Sequence, residues 1–390
     1  MQTKSNPSFL TLILMISFAS VNAVLFTPAL PAIAKFFAIA DSTAQLTITW
    51  FLIGYAAGQL IYGPIANRFG RKPALYAGII LQILSSLLCV LAGWMHVYSV
   101  LVLGRLLLAL GAGVGLKMTF TLVNEIYEPD MARQKLAYLM LAFAITPGLG
   151  VMAGGFLASH FDWTSTFYAG AIYGLVLLAL TTQLPETKKE LDYDALKLNH
   201  LINGYVTQFK NLTLMTGGLL MGGAACFIYV FAALGPFIAI NMMGMDVASY
   251  GTANILPPIG LALGSLASAQ LSKKFKPTFI VNLGITIAFI ASIAMFMLML
   301  IKLPALLTLF VPMMLCYLGS ALVFPNASTQ AMSATADKAH GSAVMNFVNM
   351  GLVTVVVLSM GAIPMNPFLL PAIFLGVCVF MAALNKLAFK

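Results

Sequence analysis

The chain has 390 residues, of which 61% are hydrophobic and only 8% are charged. A water-soluble domain carries about 25% charged residues, so this composition excludes an ordinary soluble domain and indicates a protein that faces lipid. The net charge of +9 does not indicate a nucleic-acid partner, because the basic residues stand singly between apolar runs and form no stripe. The expected partner is the lipid bilayer, whose anionic surface attracts cations.

Twelve apolar runs follow one another along the chain. Each is about 20 residues long, which is the length that a helix needs to cross a bilayer. Their predicted bounds are 8–32, 43–65, 73–93, 99–122, 135–158, 163–183, 213–240, 249–271, 278–300, 304–327, 341–362 and 367–386. We therefore predict an all-α integral membrane protein with twelve transmembrane helices in two pseudo-symmetric six-helix bundles.

A polar segment beginning at Glu186 divides the twelve runs into two sets of six. The sequence therefore predicts an N-terminal bundle at 1–185, a cytoplasmic linker at 186–212 and a C-terminal bundle at 213–390. Part of the linker is a candidate amphipathic helix on the membrane surface.

The two halves share a weak internal similarity. The segment from Gly54 to Gly58 resembles the segment from Gly260 to Gly264, about 206 residues later, and a basic turn follows each segment. Such a match favours a duplicated six-helix unit.

The distribution of basic residues predicts the orientation. With the N-terminus inside, sixteen of the twenty Lys and Arg residues fall in cytoplasmic segments, whereas the outer loops hold only Lys35 and Lys302. An excess of cations marks the cytoplasmic side. We expect a multi-pass protein of a bacterial inner membrane with both termini in the cytoplasm.

A short basic turn at 63–73 joins the second and third runs. It resembles the signature loop of the major facilitator superfamily, which has a Gly, three residues, Asp-Arg, one residue, then Gly-Arg-Lys. Five of the six fixed positions match, and Asn67 replaces the family's aspartate. The resemblance implies the major facilitator fold and a role in conformational change for Gly63, Asn67, Arg68, Gly70, Arg71 and Lys72.

Two further motifs strengthen this resemblance. Arg105 precedes a small-residue face in the fourth run, as in the superfamily's fourth-helix motif. The fifth run resembles the antiporter motif of the drug–proton exchangers, in particular those of the Bcr/CflA branch. Glycines in such a motif allow tight helix packing, which by itself would also explain them. The implied gating residues are Pro147, Gly148, Gly150, Gly154 and Gly155.

The charges inside the runs argue against the cationic drugs that this branch commonly exports. All eleven acidic residues lie in loops or within a turn of a run's end, and Val24 stands where many exporters of the family have a carboxylate. Arg105 and Lys117, in contrast, lie inside the fourth run, where a charge costs about 2.5–3.5 kcal/mol and is functional by default. The alternatives are bonding to carbonyls for Arg105 and snorkelling for Lys117.

Polar and aromatic residues on plausible cavity faces complete the candidate site, although a helix–helix hydrogen bond would explain each one alone. The predicted substrate-binding residues are Lys117, Arg105, Asn22, Tyr55, Gln59, Tyr229, Asn254, Tyr317, Asn326, Asn346 and Asn349.

The sequence thus predicts a secondary transporter that moves a small organic molecule by alternating access. The favoured cargo is an organic anion, such as a polycarboxylate metabolite or a siderophore. The alternative is multidrug efflux by drug–proton antiport of the Bcr/CflA type, and a non-transporting membrane sensor is less favoured. The direction of transport and the role of protons as a coupling ion stay open.

The same pattern predicts that the protein is not an enzyme, because no catalytic constellation falls at membrane depth. The four cysteines lie far apart inside apolar runs, as buried small hydrophobes do. We therefore predict no metal site and no cofactor, and we expect a monomer.

Overall fold

The computed structural model describes residues 7–388, apart from residues 189, 194 and 336. The expected cytoplasmic ends of the chain, at 1–6 and 389–390, lie outside this described part.

Twelve long helices and one short one make up the described part of the chain. Eleven of the twelve are long and apolar enough to cross a membrane, and the sixth is an apolar helix of 17 residues. The twelve are α1 Phe9–Phe36, α2 Asp41–Phe69, α3 Arg71–Met95, α4 Tyr98–Ile126, α5 Pro129–His160, α6 Ser165–Thr181, α7 Leu212–Met242, α8 Val247–Leu271, α9 Pro277–Leu300, α10 Leu306–Ser333, α11 Lys338–Met360 and α12 Leu369–Ala388. The predicted fold class is confirmed.

Three of these helices are interrupted near the middle of the bundle. A 3₁₀ turn at Thr27–Ala29 breaks α1, and Gly113 separates the two halves of α4. A turn at Asn254 interrupts α8 just before Pro257 and Pro258. Proline removes a backbone donor and clashes with the preceding turn, which explains the breaks in α1 and α8. Freed carbonyls at such a break need other donors.

Glycines at equivalent places in the two halves bring helix backbones into contact. A Cβ atom at Gly54 of α2 would lie 2.1 Å from the Leu106 carbonyl oxygen of α4. A Cβ atom at Gly260 of α8 would lie 1.8 Å from the Met314 carbonyl oxygen of α10. Only glycine permits so close an approach. The internal sequence similarity therefore corresponds to the same packing of α2 on α4 and of α8 on α10.

The two sets of six helices touch along α2–α11 and along α5–α8. In the second seam, a Cβ atom at Gly155 would lie 2.9 Å from the Cα atom of Gly251, and one at Gly148 would lie 2.6 Å from the Pro258 ring. The backbones of α5 and α8 thus close one end of the molecule. The opposite end carries the signature loop and the linker, and we call it the linker side.

The linker crosses the linker side and contacts both halves. Its helix, Leu198–Phe209, donates a 2.9 Å hydrogen bond from the Tyr205 hydroxyl to the Leu60 carbonyl of α2. On the other half, Thr335 donates to Gln208 over 2.8 Å, and Asn211 donates to the Ala334 carbonyl over 2.8 Å. The linker is therefore bonded to both bundles.

Candidate functional site: a cavity between the two halves

A cavity of about 630 Å³ lies between the two halves and extends to the linker side. Helices α2, α4 and α5 form one wall, and α7, α10 and α11 form the other. Six of the predicted substrate-binding residues line it: Lys117, Tyr55, Gln59, Tyr229, Asn346 and Asn349. The structure thus brings together side chains from four helices that are far apart in sequence.

Lys117 of α4 is the one lysine among the described residues that line this cavity. Its ammonium donates a 3.1 Å hydrogen bond to the Gln59 carbonyl oxygen of α2. Within the described residues, no carboxylate lies within ion-pair distance of it. Gly63 makes room for the ammonium, because a Cβ atom there would lie 2.6 Å from Nζ. The first glycine of the signature loop therefore also shapes the cavity.

Two amide side chains in the wall keep unused hydrogen-bonding groups. Asn349 is only 1% exposed, yet neither its Oδ1 nor its Nδ2 atom has a partner among the described residues. Gln59 is 4% exposed, and its Nε2 atom is likewise without a partner there. A buried polar group left unpaired costs about 1–3 kcal/mol. Because both residues line the cavity, a small rotation of either side chain would present these groups to a ligand.

Much of the remaining wall is apolar and rich in methionine, which the sequence analysis did not single out. Methionines and phenylalanines occur in most of the runs, and nothing in their spacing shows that they would meet. The methionines in the wall are Met118, Met140, Met221, Met332, Met345 and Met350, and the phenylalanines are Phe120, Phe143 and Phe324. Methionine is unbranched and flexible, so such a wall adapts to ligands of different shape.

Four of the predicted binding residues lie outside this cavity wall, which corrects the expectation that they face it. Asn22 donates to the Phe18 carbonyl over 2.8 Å and accepts a bond from Gln82. Asn254 donates to the Tyr250 carbonyl, and Asn326 donates to Ser268 over 2.9 Å. Tyr317 packs against the hydrophobic core. These side chains make contacts within a helix or between helices, which is the alternative role that the sequence analysis gave for them.

Arg105 is the fifth predicted binding residue outside the wall. It is 1% exposed, and its guanidinium lies between the rings of Phe26 and Phe51, at 3.9 and 4.4 Å from their centroids. It donates to the carbonyls of Asn22 over 2.9 Å and of Ala23 over 3.3 Å. These carbonyls lie beside the break in α1, so Arg105 supplies donors that the interrupted helix lacks.

The signature loop forms the rim of the cavity on the linker side. Arg71 pairs with Glu125 at the end of α4 over 2.6 Å and donates to Asn67 Oδ1 over 2.8 Å. Lys72 donates to the Thr182 carbonyl over 2.9 Å, and the guanidinium of Arg68 lies over the ring of Tyr193 in the linker. The loop is therefore bonded to α4, to the end of α6 and to the linker.

The linker also caps α3, a contact that the sequence analysis missed. The Glu186 carboxylate accepts hydrogen bonds from the backbone N–H groups of Arg71, over 3.0 Å, and Lys72, over 2.9 Å. A carboxylate at a helix N-terminus is favourable because of the helix dipole. Gly70 leaves room for it with φ at +104°, a conformation that favours glycine. In the sequence, the acidic residue Glu186 at the start of the linker is the feature that could have predicted this contact.

The linker and α11 complete the rim with Asp192, Tyr205 and His340. The rings of Tyr205 and His340 meet at a centroid distance of 5.0 Å. Burial and the nearby Asp337 carboxylate raise the pKa of the Tyr205 hydroxyl above its ordinary value. Tyr205 is therefore a neutral hydrogen-bond donor at physiological pH.

The antiporter-like segment of α5 lies at the closed end and not in the cavity wall. A Cβ atom at Gly154 would lie 1.7 Å from the Leu25 carbonyl oxygen, beside the break in α1, whereas one at Gly150 would only touch Val21 at 3.4 Å. Pro147 lies inside α5 next to Gly148. The glycines of this segment allow α5 to pack closely on α1 and α8.

Comparisons with known proteins agree with this architecture. The family model described as Major Facilitator Superfamily matches residues 10–358. The chain is 24% identical to Multidrug resistance protein D of Escherichia coli K12, over 83% of this chain and 80% of that protein. It is 23% identical to a bicyclomycin resistance protein homologue of Haemophilus influenzae, over 68% of this chain and 67% of that protein.

A solved structure shows the same fold. A D-xylose–proton symporter superposes with a TM-score of 0.76 over 96% of both chains, at 14% sequence identity. Together with the family match over most of the chain, this establishes that the protein is a member of the major facilitator superfamily and a multi-pass integral membrane transporter.

Proposed function

We propose that this transporter exports lipophilic small molecules from the cytoplasm by drug–proton antiport of the Bcr/CflA type. The observation that carries the proposal is the cavity, which extends to the linker side and whose wall includes six methionines and three phenylalanines. Its volume of about 630 Å³ falls within the range of about 300–1,000 Å³ that drug-sized ligands occupy. Flexible methionine-rich surfaces suit a range of ligands.

The relatives support export of drugs over the organic-anion hypothesis. Both relatives named above carry drug-resistance names, and a further relative is a multidrug transporter of Edwardsiella piscicida, 26% identical over 66% of this chain. None of these names supports a siderophore cargo. The family and these relatives are transporters, which agrees with a non-enzymatic role.

The direction of loading depends on the orientation in the membrane. The linker side carries the cation-rich turns, so by the positive-inside rule it faces the cytoplasm of a bacterial inner membrane. A cavity that extends to this side and is closed at the other by the α5–α8 seam is an inward-facing cavity. Rocking of the two bundles about this seam would release cargo outside.

Transport in vesicles tests the proposal directly. The full chain is reconstituted into proteoliposomes, and transport of a panel of neutral, cationic and anionic lipophilic dyes is followed with and without an imposed pH gradient. We expect gradient-driven flux of more than one dye, and the same vesicles with the gradient collapsed are the control. Absence of flux for the whole panel in both conditions would contradict the proposal.

A further inference from the structure

We propose that the cavity selects cargo by a neutral or anionic hydrogen-bond acceptor, held by Lys117, Gln59 and Asn349, and discriminates against lipophilic cations. This inference rests on the proposed efflux function and specifies the chemical class of the molecules that the cavity takes.

The first argument is the set of donors in the wall. The Lys117 ammonium has one carbonyl partner and retains further N–H donors toward the cavity. The amide nitrogens of Gln59 and Asn349 are buried and unpartnered among the described residues. Two opposing helices, α2 and α11, carry these amides, and α2 and α11 pack against each other. Three helices therefore contribute donors to the wall of the same cavity.

The second argument is the scarcity of negative charge. Among the described lining residues, the only carboxylate belongs to Asp192, which is part of the linker at the rim and already interacts with another group. A lipophilic cation in the deep part of the cavity would face the Lys117 ammonium without a compensating carboxylate. Like charges in a site of low dielectric repel strongly.

The third argument is the free-energy cost of leaving polar groups in the wall unpaired when no ligand is bound. A buried ammonium with one partner and two buried amide nitrogens without partners among the described residues are costly, and acceptor atoms on a ligand would pair with these donors. The apolar remainder of the wall would take the hydrophobic body of the ligand. The cargo is therefore an amphipathic molecule with a carbonyl, carboxylate or similar acceptor at one end.

Three probes that share one triphenyl body separate charge from shape. Triphenylacetate carries an anionic acceptor, triphenylphosphine oxide carries a neutral acceptor, and methyltriphenylphosphonium carries a cation with no acceptor. Equilibrium binding of each probe is measured with the full chain in lipid nanodiscs. We expect the two acceptor probes to bind at least about tenfold more tightly than the phosphonium, as one charge-assisted hydrogen bond would provide.

The decisive variant is Lys117→Met, which keeps an unbranched, flexible side chain one atom shorter and removes the charge. We expect it to weaken triphenylacetate about tenfold or more and to leave phosphonium binding unchanged or tighter. Asn349→Leu should weaken both acceptor probes about fivefold. Equal binding of the three probes in the native chain, or triphenylacetate binding that Lys117→Met does not change, would overturn the inference.

A second variant tests the same point without touching the ligand-binding side chains. Gly63→Ala would place a methyl group 2.6 Å from the Lys117 ammonium, which must move away. We expect a loss of about threefold in triphenylacetate affinity, on the order of 0.6 kcal/mol. Gly376→Ala is the matched control, because a Cβ atom there meets nothing within 4 Å. Unchanged triphenylacetate binding in Gly63→Ala would count against the inference.

Flux measurements keep this inference separate from the proposed function. The same three probes are followed in proteoliposomes under a pH gradient. Selective binding without flux of any probe would contradict the transport proposal but support the selectivity. Flux of the phosphonium that equals flux of the acceptor probes would support export and contradict the selectivity.

Discussion

The two cations inside α4 have opposite surroundings, although they are only twelve residues apart in one helix. Arg105 is enclosed by two aromatic rings and donates to backbone carbonyls of α1 and α2. Lys117 faces a cavity of about 630 Å³ and has a single carbonyl partner. The comparison shows that an intramembrane charge is not by itself a ligand site.

The difference follows from the chemistry of the two side chains. A guanidinium is planar and carries five donors, so it stacks on rings and bonds several carbonyls at once. An ammonium is a compact charge on a flexible stem, so it can turn toward a ligand. Arg105 is therefore suited to bond the carbonyls at the break in α1, and Lys117 is suited to a cavity that binds and releases cargo.

The largest expected effect is a loss of stability on removing Arg105. Arg105→Met would leave the carbonyls of Asn22, Ala23 and Thr47 without their donor and remove two ring contacts. We expect a loss on the order of 2–4 kcal/mol in the free energy of unfolding. Thermal or denaturant unfolding in detergent measures it. Lys117→Met is the control and should change the free energy of unfolding by less than about 1 kcal/mol. A similar loss in both variants would contradict the different roles given to Arg105 and Lys117.

The next effect is a difference in water access between the two positions. The four native cysteines are buried, so a single introduced cysteine can be labelled selectively. We expect Lys117→Cys to react with a charged, membrane-impermeant thiol reagent at least about tenfold faster than Arg105→Cys, since only position 117 lines the cavity. The reagent is applied to inside-out and right-side-out vesicles. Equal reaction rates at the two positions would show that Arg105 is also in a water-filled pathway.

Conservative exchange should separate the two roles more finely. Arg105→Lys keeps the charge but loses the planar stack and two of the donors, so we expect a loss of about 1–2 kcal/mol in stability. Lys117→Arg keeps the charge in the cavity, and we expect triphenylacetate binding within about threefold of the native value. Unfolding and equilibrium binding check the two changes. A stable Arg105→Lys variant with weakened probe binding would instead assign ligand binding to Arg105.

The smallest expected effect concerns the departure at Asn67. Its Oδ1 atom accepts from Arg71, and Asn67 lies at the rim of the cavity. Asn67→Asp restores the negative charge of the family's signature loop at the rim, which the first turn of α11 also lines. We expect this charge to favour closure of the linker side through the positive end of the α11 dipole. We expect thiol labelling of Lys117→Cys to slow about two- to threefold. An unchanged labelling rate would show that the charge at position 67 does not affect closure of the cavity.

The fold was predictable from the chain because apolar runs of membrane-spanning length leave few alternatives to helices. The signature loop and the segment of α5 identified the family, and the confirmed match covers 10–358. The site was predictable only in part. Lys117, Gln59 and Asn349 line the cavity as expected, whereas Asn22, Asn254 and Asn326 bond within the bundles. Periodicity shows which residues share a helix face but not which neighbour that face meets.

The sequence by itself determined the membrane location, the helix count and the family, because these depend on local hydrophobicity and on short motifs within single segments. Only the tertiary structure decided that Glu186 caps α3, that Gly63 makes room for Lys117, and that six methionines line one cavity. These contacts join segments that are far apart in the chain. Their geometry depends on how helices cross, and small differences in glycine packing between backbones set those crossings.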